Sequence, residues 1–517
     1  MFLLLLVVLI ASLARRLRTP YPILLVVAGL GISFVPHVPR VPLDPNLVFL
    51  IFLPPLLYAS AWNTNWRAFR RNIVSISLLA VGLVAFTVVM VAEVADRFIT
   101  ALDWKSGFVL GAVVATTDAV AASSIAKTIG LPQRVVDLLE GESLVNDATG
   151  LLALEFGLGM LLTGETPTLG YGLLRLVWLI GGGLGVGLAV GYVVAWFGRR
   201  IDDGPLQMVV SIIVPYTAYL AGDGVRASGV LAVVACGLHM SRQSGEMFSP
   251  EARIQVTSFW KALDFMLNGL VFVLIGLQLP YVLAGIEGYS RVTLVEYGAV
   301  FSGVLILLRL VWMFPGAAFS AWFRRRVLKQ RVTKASSREV FVLGWTGMRG
   351  VVALAAAISL PEAMGDGRPF AQRNLIVFLT FSVILVTLVV QGLSLPAVVR
   401  ALGLAGVSGS NDEEVAARKT ILQTVVKHLE DGMGATADES ERHGYEDLLH
   451  AYSHRLAECG EDAQDQAEDA RTMRRLGLEA VQVERQALIR LRESGAIDDD
   501  VMRRLEMELD LNEAGKG

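Results

Sequence analysis

A succession of long apolar stretches constrains the fold of this chain more than any other feature. Thirteen can be read, at approximately 1–14, 20–35, 46–62, 73–95, 104–126, 135–162, 171–197, 206–222, 224–241, 255–283, 292–323, 339–360 and 374–399. A transmembrane helix needs about 20 apolar residues, and lipid leaves helices or closed barrels as the only spanning structures. The 517-residue chain is 54% hydrophobic. We therefore predict an all-α integral membrane protein with about 13 transmembrane helices.

Lysine and arginine are concentrated in the loops on one side of the predicted membrane. These loops hold Arg15, Arg16, Arg18, Arg67, Arg70, Arg71, Lys127, Arg134, Arg199, Arg200, Arg242, Arg253 and the basic segment 324–338. Cytoplasmic loops carry an excess of these residues. The pattern predicts a multi-pass protein of the plasma (inner) membrane, with its N-terminus outside and its C-terminus in the cytoplasm.

The charge balance changes sign near residue 400. Residues 1–400 carry 31 Lys and Arg against 22 Asp and Glu, a balance of +9, whereas residues 401–517 carry 14 against 26, a balance of −12. We predict a transmembrane domain at 1–400, a linker at 401–415 and a cytoplasmic helical regulatory domain at 416–517. Four of the six histidines lie in this last region, and histidine titrates near neutral pH.

The two halves of the membrane part show weak internal symmetry. Pairing spans 1–6 with spans 8–13 aligns the fifth, "GAVVATTDAVAASSIAKTIGLP", with the twelfth, "VLGWTGMRGVVALAAAISLP". Both contain small and polar residues near mid-membrane and both end in Leu-Pro. Inverted repeats with discontinuous helices are where many transporters bind ions.

Several charged and amide side chains lie inside predicted spans. A charge at the centre of a bilayer costs at least about 2.5 to 3.5 kcal/mol, so such a residue faces a partner or a wet cavity. Glu140 is interpreted as a solvated charge at the end of its span. The others are Glu142, Asn146, Asp147 and Glu155 in the sixth span, Asp118 in the fifth and Arg349 in the twelfth.

Glu142 and Asp147 cannot point at the same ligand. Five residues of an ideal helix turn the chain by about 140°. Asp147 shares a face with Ser143, and a carboxylate with a hydroxyl suits a small hard cation. Glu142 shares the other face with Asn146, and its natural partner is the buried Arg349. The alternative is that Asp147 itself pairs with Arg349 and only holds helices together.

That alternative leaves Asp118 and the Thr116–Asp118 sequence unexplained. Burial beside a second carboxylate favours the protonated form of an aspartate. A carboxyl of this kind can hold a proton or a metal ion, but not both, and this competition is the basis of an exchange mechanism.

Three other features have open interpretations. Asp264 and Arg309 fall at comparable depth and are candidates for a structural ion pair. Pro54 and Pro55 require a kink or break, which either lines a cavity or shapes the bundle. The glycine-rich run 181–191 permits close helix packing, within or between protomers.

Four motifs carry a resemblance to a known family. "FLPPLLYASAW", "ATTDAVAASSIAKTIGLP", "GESLVNDATGLLAL" and "GWTGMRGVVALA" occur in this order. Together they resemble the monovalent cation:proton antiporter-1 family, the NhaP/NHE sodium/proton exchangers, over roughly residues 1–400. The resemblance implies a thirteen-helix fold with a moving core domain and a dimerisation domain. It also implies two unwound, crossing helices, one at Thr117–Asp118 and one at Gly347–Arg349.

The resemblance also implies roles for individual residues. Asp147 would carry a proton or Na+ in alternation, and Asp118, Ser143 and the Thr117 backbone carbonyl would complete the Na+ site. Glu142 would pair with Arg349. Asn146 would occupy the position that distinguishes electroneutral relatives from electrogenic ones, so one proton is expected to exchange for one sodium ion.

The expected function is secondary sodium/proton antiport by alternating access. Potassium/proton exchange is the alternative within the class, and a tail-gated ion channel or sensor is the alternative outside it. No Walker-type nucleotide loop is visible, so we expect neither an enzyme nor a bound cofactor. The expected partners are Na+, Li+ or K+, protons, the bilayer and a second copy in a homodimer, with no nucleic acid. Glu155 either tunes ion access from outside or bonds a neighbouring helix.

Overall fold

The computed structural model describes most of the chain. The described residues are 2–17, 19–35, 44–99, 101–163, 168–201, 203–286, 289–330, 336–364, 367–406, 410–435, 439–457, 463–494, 501–502, 505–506 and 509–510. These ranges contain helices and no β-strand; the one isolated β-bridge joins Ala363 and Pro369. The chain divides into two compact units, Met1–Val407 and Ser408–Gly517.

The first unit is a bundle of apolar helices. They are α1 (Phe2–Leu17), α2 (Tyr21–Ser33), α3 (Pro45–Leu47), α4 (Leu53–Asn63), α5 (Trp66–Ser77), α6 (Val84–Phe98), α7 (Trp104–Ala115), α8 (Ala119–Ile129), α9 (Gln133–Thr163), α10 (Leu169–Gly198), α11 (Gly204–Gly224), α12 (Gly229–Met247), α13 (Pro250–Leu277), α14 (Leu279–Ala284), α15 (Arg291–Arg326), α16 (Ser337–Trp345), α17 (Val351–Ile358), α18 (Arg373–Val386) and α19 (Gly392–Ala401). Short π-helical segments, Val48–Phe52, Leu78–Leu83 and Thr387–Gln391, join α3 to α4, α5 to α6 and α18 to α19.

The length and composition of these helices agree with a multi-pass membrane protein. Within the part of the chain that the structure describes, eight helical segments are long and apolar enough to cross a membrane. Shorter apolar helices, Tyr21–Ser33 and Val48–Asn63, accompany them. The all-helical membrane fold is thus confirmed, while the total of 13 spans stays a prediction.

The second unit contains the helices α20 (Ser410–Ala435), α21 (Glu439–Ala457) and α22 (Ala463–Glu493). Helix α20 begins inside the stretch 401–415 that was expected to be a linker, because Ser410 and the acidic residues after it continue into a helix-favouring sequence. The acidic residues at the start of "AIDDDVMRRLEMEL" predict a fourth helix near the C-terminus, and most of that segment lies outside the described residues. Leu422, Leu429, Val481 and Leu488 are the buried apolar residues found in the described part of this unit.

The glycine-rich run in α10 packs against α12 of the same chain. A side chain on Gly187 would overlap the backbone of Ala232, and a Cβ on Gly183 would lie 2.7 Å from the carbonyl oxygen of Ser228. These glycines therefore let the two backbones approach closely. On the other side of α10, Trp178 and Val193 are exposed, as expected at the perimeter of a membrane protein.

Two helices of the bundle are interrupted, and the interruptions meet. The first lies between α7 and α8 at Thr116–Asp118, and the second lies between α16 and α17 at Thr346–Gly350. The backbone N–H of Asp118 donates to the carbonyl oxygen of Met348 at 2.8 Å, which joins the two breaks directly. Free backbone groups of this kind require partners inside a membrane. The breaks fall in the two segments whose sequences align between the halves of the chain.

Candidate ion-binding site

A cavity of about 70 Å³ lies beside the two interruptions. Helix α4 forms part of its wall, directly after the Pro54–Pro55 pair, so these prolines help to position a cavity wall. The residues that line the cavity include Leu53, Leu57, Ser60, Thr116, Thr117, Asp118, Ser143, Asp147, Asn268 and Gly350.

Asp147 is the carboxylate on this wall without a protein partner. Its side chain is only 6% exposed, and no hydrogen bond or ion pair joins it to another described residue. An ionised carboxylate in such a place is costly unless a cation or a proton neutralises it. The carboxylate of Asp147 is therefore available to a ligand that enters the cavity.

Asp118 faces the same cavity and is held in place by backbone groups. One of its carboxylate oxygens accepts a hydrogen bond of 2.8 Å from the N–H of Val120, which caps the start of α8. Gly350 lies against this carboxylate so closely that a Cβ there would overlap it. The Ser143 hydroxyl accepts a hydrogen bond of 3.3 Å from the N–H of Ala119. Asp118, Ser143 and Asp147 thus bring hard oxygen atoms to one cavity, which are suitable ligands for an alkali cation.

The hydroxyl of Thr117 bonds to side chains on the face of α9 that carries Glu142, which is not the face that carries Asp147. It donates to the Glu142 carboxylate at 3.0 Å and accepts from the Asn146 amide at 2.6 Å. Its proposed contribution to an ion site therefore has to come from its backbone carbonyl. The Asn146 side-chain oxygen is buried without a hydrogen-bond partner among the described residues.

Glu142 pairs with Arg309, so the expected pairing with Arg349 is wrong. The Arg309 guanidinium forms two bonds to the carboxylate, at 2.5 and 2.8 Å, and the two side chains are 2% and 1% exposed. Arg309 also donates to the carbonyl oxygens of Leu343 and Gly344 at the end of α16. The bidentate geometry pairs the two buried charges with each other.

Arg349 instead stabilises the broken helices. Its Nε donates to the Val114 carbonyl at 2.5 Å and its Nη1 to the Gly347 carbonyl at 2.6 Å. These carbonyls lie at or just after helix C-termini, where a cation is favourable. Because Arg349 donates to both carbonyl oxygens, its burial is explained without a carboxylate partner.

Two further sequence interpretations are resolved by contacts in the structure. Glu155 bonds a neighbouring helix, because its carboxylate accepts from Arg175 of α10 at 3.0 Å. Asp264 accepts a hydrogen bond of 2.9 Å from Asn268, and Arg309 is engaged by Glu142. The suggested Asp264–Arg309 pair is therefore wrong.

Sequence reasoning missed two polar residues that line the cavity, Ser60 and Asn268. Ser60 follows the Pro54–Pro55 pair on α4, and Asn268 lies one helical turn after Asp264 on α13. The sequence signal that could have indicated these two residues is an uncharged polar side chain within an apolar span. Such residues are common in membrane helices as interhelical hydrogen-bonding groups, so this signal alone does not separate packing from function.

Two broken membrane helices that meet beside a buried carboxylate with no partner among the described residues are typical of a secondary ion transporter. The sequence model of the family described as sodium/hydrogen exchanger, transmembrane, matches residues 2–401. The chain belongs to this family.

Curated relatives extend over most of the chain. An uncharacterised Na+/H+ exchanger of Mycobacterium tuberculosis is 33% identical over 97% of this chain and 92% of its own length. A sodium, potassium, lithium and rubidium/H+ antiporter of Bacillus pumilus is 32% identical over 80% of this chain and 63% of its own. The Na+/H+ antiporter ApNhaP of Aphanothece halophytica is 32% identical over 81% and 77%.

The fold is also similar to that of a solved structure. The structure of the sodium proton antiporter MjNhaP1 from Methanocaldococcus jannaschii at pH 8 matches with a TM-score of 0.60 at 20% sequence identity. The match covers 78% of this chain and 97% of that one. This likeness independently supports the assignment of the membrane fold.

Proposed function

We propose that the chain is an electroneutral Na+/H+ antiporter of the plasma membrane in which Asp147 binds a proton or a cation in turn. The observation that carries this proposal is the contrast between the two acids of α9. Glu142 is neutralised by Arg309, whereas Asp147 faces a cavity and has no partner among the described residues. One titratable carboxyl that a cation can also occupy is sufficient to couple the two fluxes.

Asp118, Ser143 and the Thr117 backbone carbonyl complete the proposed cation site, and alternating access exposes it to each side. One helix is broken between α7 and α8 and another between α16 and α17, and the two breaks contact each other. The short helices on either side of the breaks can move against the rest of the bundle. Family membership and the names of the relatives support exchange over a channel or sensor. Three predictions stay untested: a homodimer, an external N-terminus and a regulatory role for residues 416–517. An unchanged pH–activity profile after removal of residues 410–517 would contradict the regulatory role.

Potassium is the second candidate cation. The Bacillus pumilus relative is named as an antiporter of sodium, potassium, lithium and rubidium. Oxygen ligands alone do not select the ion radius, so the same site is chemically compatible with K+.

Purified protein in liposomes with an internal pH dye tests this function. We expect that adding Na+ or Li+ outside acid-loaded vesicles alkalinises their interior, because each entering cation displaces a proton from Asp147. We also expect the rate to be unaffected by a membrane potential set with a gradient of the permeant anion thiocyanate, since one charge moves in each direction. Cation-independent proton currents would contradict antiport, and a potential-dependent rate would contradict the stoichiometry. Alkalinisation driven by K+ in place of Na+ would identify K+ as a transported cation.

Gly350 provides a test of the position of Asp118. We expect Gly350→Ala to weaken Na+-driven exchange, because the added Cβ displaces the Asp118 carboxylate; overpacking of this kind costs about 1 to 3 kcal/mol. The measurement is the Na+ concentration that gives half-maximal exchange in proteoliposomes. Gly159→Ala is the matched control, since a Cβ there meets no atom within 4 Å. Equal behaviour of the two variants would contradict the assignment of Asp118 to the site.

A further inference from the structure

A second cavity lies between α5, α9, α15 and α16, away from the ion site. It has a volume of about 70 Å³, and most of its wall is apolar. Its lining includes the apolar Met313 and Leu343. It also includes Arg134, at the start of α9, and Arg324, near the end of α15, and we call this part the basic end. An apolar cleft with a basic end does not serve the exchange of small cations, so it needs a separate explanation.

The basic end is a cluster of three arginines. Arg71 and Arg134 both lie close enough to Arg324 for their charges to act on it. Neither Arg71 nor Arg134 forms a hydrogen bond or close ion pair with another described residue. Arg324 is 6% exposed, and its Nε donates to Gln330 at 3.2 Å. Like charges held together in this way favour an anionic ligand between them.

Two acidic residues lie near this cluster without neutralising it. Glu339 lines the cavity, but its carboxylate accepts the N–H of Ser336 in the capping box of α16. Asp137 acts electrostatically on Arg71 and accepts a hydrogen bond from Gln133. Three arginines against two engaged carboxylates leave a net positive charge at the mouth.

The dimensions of the cleft match one leaflet of a bilayer. Trp312, Gly316, Ser320 and Arg324 line the cleft from successive turns of α15, in a stripe that winds slowly around the helix. Twelve residues of helix span about 18 Å, and one half of the hydrocarbon core is about 15 Å thick. The arginine end therefore lies at headgroup depth when Trp312 lies near mid-membrane.

The wall also contains a polar atom without a partner. The indole Nε1 of Trp312 is buried and has no hydrogen-bond partner among the described residues. Its neighbour is Gly316, where even a Cβ would lie 3.1 Å from this nitrogen. This nitrogen lies about 18 Å along α15 from Arg324, at the depth of acyl chains, so it is not a partner for the headgroup region of a lipid held by the arginines.

We propose that this cleft binds one anionic phospholipid, with its phosphate beside Arg134 and Arg324. Its acyl chain lies along the apolar wall, partly inside the cavity and partly along the exposed flank of α15, where Phe319 and Trp322 are 50% and 54% exposed. Basic clefts between transmembrane helices are suited to acidic lipid headgroups. The cleft ends beside Leu343, whose carbonyl holds Arg309, so a bound lipid stabilises the helices that carry the Glu142–Arg309 pair.

Native mass spectrometry of the full-length, delipidated protein tests this site. We expect phosphatidylglycerol to bind and to raise the thermal unfolding temperature, and phosphatidylcholine to do neither. The variant with Arg134→Gln and Arg324→Gln should bind phosphatidylglycerol on the order of thirtyfold more weakly, because each basic residue near an anionic lipid contributes roughly fivefold. The matched control carries Arg67→Gln and Arg70→Gln, which removes the same charge from exposed residues of α5.

A second variant separates the apolar cleft from its charge. Ala321→Phe fills the cavity while all three arginines remain, and we expect it to lose phosphatidylglycerol binding as well. The proposal is overturned if the arginine variant binds as the wild type does, or if the control pair loses binding equally. It is also overturned if inorganic phosphate alone reproduces the stabilisation, since the site would then recognise an anion without its acyl chains.

Discussion

Replacing Asp147 by asparagine is expected to abolish cation/proton exchange. Asparagine has nearly the same shape and keeps an oxygen ligand, but it can neither release a proton nor neutralise a cation in the cavity. Mutation of a residue that only supports a metal ligand lowers metal affinity or activity by about 10- to 100-fold. Loss of the ligand itself should therefore reduce the exchange rate by about a hundredfold or more. The measurement is Na+-dependent pH change in proteoliposomes at matched protein incorporation.

Asp137→Asn is the control for this prediction. Asp137 lies on the same helix, α9, but it is half-buried near the start of the helix and accepts a hydrogen bond from Gln133. Its substitution removes the same charge without touching the cavity, and exchange should persist. Cation-driven exchange by Asp147→Asn at a rate near that of the wild type would end the proposed mechanism.

Removing Arg309 is expected to produce the largest loss of stability. Arg309→Met leaves Glu142 buried with one hydrogen bond from Thr117 and no cation, and breaking a buried ion pair from one side costs about 3 to 5 kcal/mol. Thermal unfolding of the purified protein should therefore begin at a clearly lower temperature. A second substitution, Glu142→Gln, should recover much of the loss because no uncompensated charge then remains.

Arg349 provides the comparison that separates the two possible partners of Glu142. Arg349→Met should also destabilise the protein, since the Val114 and Gly347 carbonyls lose their donors. Adding Glu142→Gln to that variant should bring little recovery, because Arg349 forms no bond to Glu142. A coupling energy larger for the 142/349 pair than for the 142/309 pair would show that the observed pairing is not the one that stabilises the protein.

The two acids of α9 illustrate how stability and function are divided in this bundle. The Glu142–Arg309 pair ties α9 to α15 and, through the carbonyls of Leu343 and Gly344, to the end of α16. Thr117 links this pair to the first interruption. The network holds the broken helices in place, and no residue in the described part of the chain pairs with Asp147 in competition with a cation.

Much of this arrangement was predictable from the sequence. The apolar stretches indicate a helical membrane protein because lipid offers no other hydrogen-bonding partner to a backbone. Helical spacing separates Glu142 from Asp147 on α9, and the structure places them on different sides of that helix. The family resemblance implies two interruptions, at Thr117–Asp118 and at Gly347–Arg349, and the structure has breaks at both places.

The partners of the buried charges depended on the tertiary structure. The sequence contains two arginines at suitable depth, Arg309 and Arg349, and no local rule decides which one meets Glu142. The outcome depends on where α15 and the end of α16 lie against α9, and on the free carbonyls that attract Arg349. Local periodicity determined the elements and the faces of α9, whereas charge pairing is a contact across 167 positions of sequence that only the packed bundle could decide.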